Sequence, residues 1–252
     1  MTNRFADGVS DFVIRISFVI GYFVIRHSNA MNYFAHGLRF LDRPYFVAGT
    51  AVPDWLSVVD RQVRVRAKMI EPLLFEDGSP LAEVAAGAWQ HLEDDRWFHQ
   101  TRAFAEITAQ LAVRFREVLG PEDGQRPGFL GHIVTELLID AELIERHPRE
   151  IEQYYEVISS VEPLVVQQAV NAMAKQSTEF LAPLIARFVS ERFLPDYLND
   201  DRLLWRLNQV MRRVKLSPLP AETQAVLTAA RPLVRGRLHE LLPAEQFEWR
   251  FV

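Results

Sequence analysis

At 252 residues, with 49% hydrophobic and 24% charged side chains, the chain is long enough for one large hydrophobic core and reads as ordinary globular sequence. A formal net charge of −5 argues against broad nucleic-acid binding, which needs a dominant basic surface. The absence of cysteine excludes disulfides, thiolate nucleophiles and cysteine-type zinc knuckles, so any metal must be held by nitrogen and oxygen; it also fits a reducing cytoplasm.

Residues 1–30 stand apart. Phe12 to Ile25 is almost continuously apolar, broken by Arg15 and followed by Arg26 and His27. It is short for a membrane span, which needs about 20 apolar residues. Three readings are open: a translation start upstream of a natural one at Met31, an extra helix buried against the domain or a partner, or a secretory signal cleaved near Ser28-Asn29-Ala30. Against the last, Asp7 and Asp11 spoil the positive leading region. The expected location is cytoplasmic, or secreted or membrane-proximal if this stretch is a signal or anchor; otherwise membrane contact is not expected.

From Met31 to residue 252 the periodicity is helical nearly throughout, and the expectation is a single compact all-α domain. Breaks fall at Pro44, Pro53, Gly78 to Pro80, Gly120 to Pro127, Pro148, Pro163, Pro195 and Ser217 to Pro220. Ser79-Pro80 supplies an N-cap and first helical residue for a helix running towards Phe98. Thr101 to Leu119 follows, with Phe104, Ile107, Leu111 and Phe115 on one stripe. Arg126-Pro127 opens a helix carrying Phe129, Ile133, Leu137 and Leu138 that ends before Pro148. Later helices are predicted around 150–160, 162–175, 177–192, 200–215 and 220–241.

Four of the seven histidines lie between His36 and His132, and one spacing repeats: His91-x3-Asp95 continued by His99, and His132-x3-Glu136 continued by Asp140. Side chains at i, i+4 and i+8 climb one helix face at about 6 Å per step, which is metal-ligand geometry. Imidazole and carboxylate suit zinc, manganese or iron, as one or two ions. His36 on the first helix and Asp54 after Pro53 complete the candidate ligand set of His36, Asp54, His91, Asp95, His99, His132 and Glu136. A proline there fixes the chain and removes a backbone donor, which presents Asp54 at a helix start, where it can also bridge two metals. Asp94 points about 100° from Asp95 and is expected in solvent.

Each residue has a plainer reading. His36 suits a hydrogen-bonded core histidine, the two stripes suit ordinary i,i+4 ion pairs, Asp54 suits a helix cap, and His99 suits a helix end beside the dipole. The conjunction of two stripes with two upstream candidates is what favours a metal site.

Met31-Asn32-Tyr33-Phe34-Ala35-His36 resembles the Met-Asn-Phe-Leu-Ala-His opening of bacterial acyl carrier protein phosphodiesterases, helical enzymes related to HD-domain metallohydrolases. Their Gly-x4-Asp motif is matched by Gly49 to Asp54, and their His-x3-Asp with a polar residue four on by His91, Asp95 and His99. Where that family pairs two acids four apart, this chain has His132 and Glu136. That departure is similar instead to zinc-dependent phospholipase C and its nuclease relatives, although their N-terminal Trp ligand has no counterpart here. The likeness covers residues 31–150. It implies an HD-like or phospholipase-C-like helical bundle and hydrolysis of a phosphate ester, such as the 4′-phosphopantetheine link of acyl carrier protein, with Asp95 or Glu136 serving as general base rather than as ligand.

Arg202 to Arg237 carries eight cations against Glu222 alone, which offers a docking face for an acidic partner such as acyl carrier protein or simply solvated helix faces. Arg39, Arg43 and Arg61 are alternative phosphate binders. Trp55, Trp89 and Trp97 are expected in the core or in pocket walls. The competing reading from another class is a non-catalytic helical binding module whose metal pocket is incomplete, His132 in place of an acid being its signature.

Overall fold

The computed structural model describes residues 32–74 and 78–247; the expectations for residues 1–30 lie outside the described residues. Among the described residues the regular structure is helical apart from one isolated antiparallel bridge between Val65 and Ala174, so the chain is all-α. The helices are α1 Tyr33–Gly37, α2 Pro44–Val59, α3 Ala67–Ile70, α4 Pro80–Phe98, α5 Arg102–Leu119, α6 Arg126–Arg146 and α7 Pro148–Ser159. They continue with α8 Pro163–Ala172, α9 Leu181–Glu191, α10 Asp200–Arg213, α11 Thr223–Gly236, α12 Leu238–Leu241 and α13 Ala244–Phe247.

Local chemistry sets most boundaries. Five of the longer helices, α2, α4, α6, α7 and α8, carry proline in their first two positions, where a missing N–H costs nothing. Ser79 Oγ accepts from Ala82 N at 3.2 Å to open α4, and Thr101 Oγ1 accepts from Phe104 N at 3.2 Å to open α5. On α5, Phe104, Ile107, Leu111 and Phe115 are all buried, as their spacing predicts.

Pro53 behaves otherwise than expected. It lies inside α2, which runs on to Val59, so Asp54 sits in mid-helix rather than at a helix start. The cost of the lost backbone bond is offset by burial on both sides, because Val52, Trp55 and Leu56 are core residues.

The axis of the fold is α6, every residue of which from Leu130 to Ile144 is buried. Helix α5 lies along one side of it, and α1 and α11 pack on others. The second layer is the α2–α4 pair, whose contact is the most extensive in the molecule. Its closeness depends on two glycines: a Cβ on Gly87 would stand 2.1 Å from the Phe46 carbonyl oxygen, and one on Gly49 would stand 2.4 Å from that of Val84.

The short helix α1 is tied to α6 by Asp140, whose Oδ1 accepts from Ala35 N at 2.8 Å and Oδ2 from Phe34 N at 3.1 Å. The residue that continues the second stripe thus caps a distant helix and is not one of the ligand groups described below. Asp140→Ala would leave two buried N–H groups unpaired and should cost about 2–4 kcal/mol in chemical denaturation. It should also let His36, two residues beyond the first bond, drift from its place.

Candidate metal centre

The four segments meet where α1, α2, α4 and α6 come together, and six of the seven candidate ligands fall into two groups there. His36, His91 and Asp95 form one, and His99, His132 and Glu136 the other; within each, one ligand atom per residue lies within 4.8 Å of the others. The His91-Asp95-His99 stripe of α4 spans both groups, which makes them neighbours, and Asp95 is close enough for its charge to act on His99.

In the first group His36 Nε2 stands 3.7 Å from Asp95 Oδ1, and His91 Nε2 stands 3.4 Å from Asp95 Oδ2. Ligand bonds of about 2.0–2.2 Å place neighbouring donor atoms roughly 3–3.6 Å apart, so these separations are close to the edges of a coordination polyhedron. The two imidazoles lie close, with centroids 4.1 Å apart and planes inclined at 30°. Each is held from behind. His91 Nδ1–H donates to the Thr50 carbonyl at 2.8 Å, and His36 Nδ1–H donates to Asp94 Oδ2 at 3.2 Å. Both rings therefore turn Nε2 to Asp95, as oriented metal ligands do. The Thr50 carbonyl lies three residues before Pro53, where a proline loosens the helical ladder.

In the second group Glu136 Oε1 accepts from His99 Nε2 at 3.0 Å and lies 3.0 Å from His132 Nε2. The rings of His99 and His132 are 4.9 Å apart and tilted, and Phe104 meets both edge-on.

Asp54 belongs to neither triplet, yet its buried carboxyl feels His91, Asp95 and Glu136. Burial, and then the charges of Asp95 and Glu136, push it well above the ordinary carboxylate range.

Among the described residues, His36 Nε2, Asp54 Oδ2, Asp95 Oδ1, His132 Nε2 and Glu136 Oε2 are buried without a hydrogen-bond partner. Buried polar atoms are nearly always satisfied, so these orphans, two in each group and a fifth on Asp54, mark donor atoms suited to a cation. The donor set, imidazole with carboxylate and no sulfur, fits zinc, manganese or iron.

Asp94 corrects an expectation. It is buried, not solvated: Arg39 Nη2 donates to its Oδ2 at 2.6 Å, while Gln90 Nε2 and Trp97 Nε1 donate to its Oδ1 at 2.9 and 3.3 Å. The reason is that α1 covers the face of α4 next to the His91 stripe, so that face never reaches water. Its charge is kept despite burial, because His36 and Arg39 hold its pKa below the usual value.

Of the proposed phosphate binders, Arg39 is committed to Asp94, and Arg43 makes a two-pronged pair with Glu83 at 2.8 and 3.0 Å while lying over Phe46. The basic run from Arg202 is also largely paired, with acids from other elements. Arg206 binds Asp196, Arg231 binds Asp200, Arg235 binds Glu142 and Glu145, and Arg237 binds Glu106 and Glu240. Arg213 is drawn inward, its pKa lowered by burial and by Arg61, and it lies within the field of Asp54. Trp55 is fully buried in the core, whereas Trp97 walls a small hollow beside His36 and Asp94.

The protonation of the metal-free cluster follows from its charges. Burial alone would lower His91, but Asp95, Asp54 and the Thr50 carbonyl raise it to about 9. Burial lifts Asp140 to about 8. Burial also opposes ionisation of Glu136, yet His132 and His99 outweigh it and hold that carboxyl near 2. His91, Asp140, Asp54 and His99 all bind protons more tightly in the folded than in the unfolded chain, and His36 is shifted the other way. The contribution of His91 is full below about pH 6.5 and is lost as pH rises through about 9, and that of Asp140 is full only below about pH 4 and is lost as pH rises through about 8. The melting temperature of chelator-treated protein should therefore fall between pH 6.5 and 9, whereas protein given zinc should hold its melting temperature over that range.

No family model, no curated protein and no solved structure matches the chain. No helix among the described residues is long and apolar enough to cross a membrane.

Proposed function

We propose that the chain is a metal-dependent phosphoesterase whose centre holds two divalent cations, one in the His36/His91/Asp95 group and one in the His99/His132/Glu136 group. The observation that carries the proposal is the meeting of two adjoining three-ligand groups with orphaned, buried donor atoms. Cations in such a site acidify water and neutralise charge on phosphoryl oxygens.

The protein's own groups divide the remaining work. Asp95 is 27% exposed and Glu136 fully buried, so Asp95 faces the side from which water and substrate arrive. Asp95 is the general base: it takes the proton from the attacking water as the new P–O bond forms and the ester P–O bond breaks, the leaving oxygen being protonated in turn. Glu136, between two imidazoles, holds its group together. Asp54, buried within reach of the charges of both groups, would be available as a further oxygen ligand. Arg213, with Arg61 near it, supplies positive charge for the substrate's phosphate.

The phosphate-ester class rests on the sequence resemblance together with that cationic pair. Within it, the 4′-phosphopantetheine ester of acyl carrier protein is the first substrate to try, and a phospholipase-C-like substrate is the alternative. Purified protein should carry zinc, manganese or iron at one to two ions per chain and cleave bis(p-nitrophenyl) phosphate. Activity should vanish on chelation and return when the ion is restored. In His91→Ala both metal and activity should be lost. A folded wild-type protein with no metal, and no hydrolysis in the presence of any of the three ions, would favour the non-catalytic module.

A further inference from the structure

We propose that the two cation sites are unequal and fill in order. The His36/His91/Asp95 group is the resident, tight site, and the His99/His132/Glu136 group is a weaker, exchangeable one. Arg39 and Asp94 act as positioning residues for the first group alone. The inference rests on reading both groups as ion sites, and it adds a hierarchy that this reading does not require.

The asymmetry is visible in how each group is built. In the first, the donor atoms are held apart at 3.4 and 3.7 Å, and His36 Nε2 and Asp95 Oδ1 have no other partner. Both imidazoles are locked from behind, by the Thr50 carbonyl and by Asp94. The geometry an ion needs is already present, so little ordering or rearrangement opposes binding. In the second, Glu136 Oε1 stands 3.0 Å from both His99 Nε2 and His132 Nε2, one of these contacts being a hydrogen bond; His132 Nε2 and Glu136 Oε2 are also without partners, but among the described residues no hydrogen bond at Nδ1 holds either ring from behind. An ion entering there must displace the His99–Glu136 hydrogen bond, which subtracts from its affinity.

The support for His36 extends outward in a continuous relay. Asp94 Oδ2 accepts from His36 and, at 2.6 Å, from Arg39 Nη2. The Arg39 guanidinium lies 4.9 Å from the ring centroids of both Phe40 and Phe247, and its Nη1 donates to the Gln246 carbonyl at 3.3 Å. The short helix α13 thus braces the arginine that fixes the aspartate that aims the imidazole. No comparable chain of contacts ties the second group to its surroundings among the described residues.

Titration of metal-stripped full-length protein with Co²⁺, followed by its visible absorption and by calorimetry, tests this. Wild type should bind in two steps whose Kd values differ at least about tenfold. His91→Ala should abolish the tighter step, and His132→Ala the weaker. Asp94→Asn should weaken the tight step by roughly 10–100-fold and alter its absorption band while leaving the weak step alone. Arg39→Lys, which keeps the charge, should recover most of the affinity that Arg39→Met loses. Two equal steps, removal of the tighter step by His132→Ala, or equal weakening of both steps by Asp94→Asn would overturn the hierarchy while leaving the two-ion reading intact. Wild type that binds no Co²⁺ would overturn both. If Asp94→Asn does not fold, the contrast between His91→Ala and His132→Ala decides the matter.

Discussion

Asparagine in place of Asp95 is expected to reduce phosphoester hydrolysis on the order of 10³-fold while the fold stays intact, the scale of losing one preorganised electrostatic group in an active site. Asp95 is the carboxylate on which the first group converges, 3.4 Å from His91 Nε2 and 3.7 Å from His36 Nε2, and its charge reaches His99 in the second. Asparagine keeps the size of the side chain but brings no negative charge and has only one oxygen to offer. Two effects should combine: the first ion is lost or loosened, and the proton of the attacking water has nowhere to go. The fold should survive, because Asp95 is the least buried of these acids and its removal leaves no unpaired carboxylate behind. Metal content, kcat and KM measured together on folded protein separate the effects. A kcat within tenfold of wild type at full metal occupancy would remove Asp95 from the role of base.

Gly87→Ala is expected to act on stability and on the site at once. The added methyl would lie 2.1 Å from the Phe46 carbonyl oxygen and 2.9 Å from both Gly49 Cα and Thr50 N, all of them backbone atoms that cannot swing aside. Helices α2 and α4 must move apart, at a cost of about 3 kcal/mol, the upper end for overpacking. In a domain of this size that lowers the melting temperature by roughly 6–12 °C. The damage is not confined to packing, because Thr50 holds His91 through its carbonyl at 2.8 Å, one helical turn from Gly87. Separation of the helices lengthens that bond and frees the imidazole. Metal affinity should therefore fall together with melting temperature, whereas a stability loss of equal size placed far from the crossing should leave affinity unchanged. Calorimetric metal titration beside thermal denaturation makes the comparison.

What could be read from the chain alone was local. Ser79, Thr101 and the helix-initiating prolines mark boundaries because a cap acts within three residues of itself. The His91-Asp95-His99 and His132-Glu136 stripes are legible because a helix puts positions four apart on one face, and both lie on long helices. The misreadings arose where a distant segment decides the environment. Asp94 points away from Asp95 on its helix, but α1 and Arg39 cover that side, so the expected solvated acid is a buried partner of His36. Pro53 reads as a break, yet the core on either side of it carries the helix through. The arginines after Arg202 look unopposed in sequence because Asp196, Glu142, Glu145 and Glu106 come from elsewhere in the chain. The Thr50 carbonyl had no side-chain signal at all, and only the glycines at 49 and 87 hint that two backbones approach closely there.

The bond between Phe34 and Asp140 joins residues 106 apart, that between His36 and Asp94 spans 58, and those at His91 and His99 span 41 and 37. In small zinc modules the donors are near neighbours, so the ion can gather a floppy chain about itself. Here His91 with Asp95 and His132 with Glu136 are near neighbours, but the bonds that complete and brace each group lie across wide loops whose closure must be met by other contacts first. A cation therefore cannot seed this architecture. A cation bound here would enter a finished chamber, and its influence would fall on how slowly the assembled protein comes apart rather than on how quickly it forms.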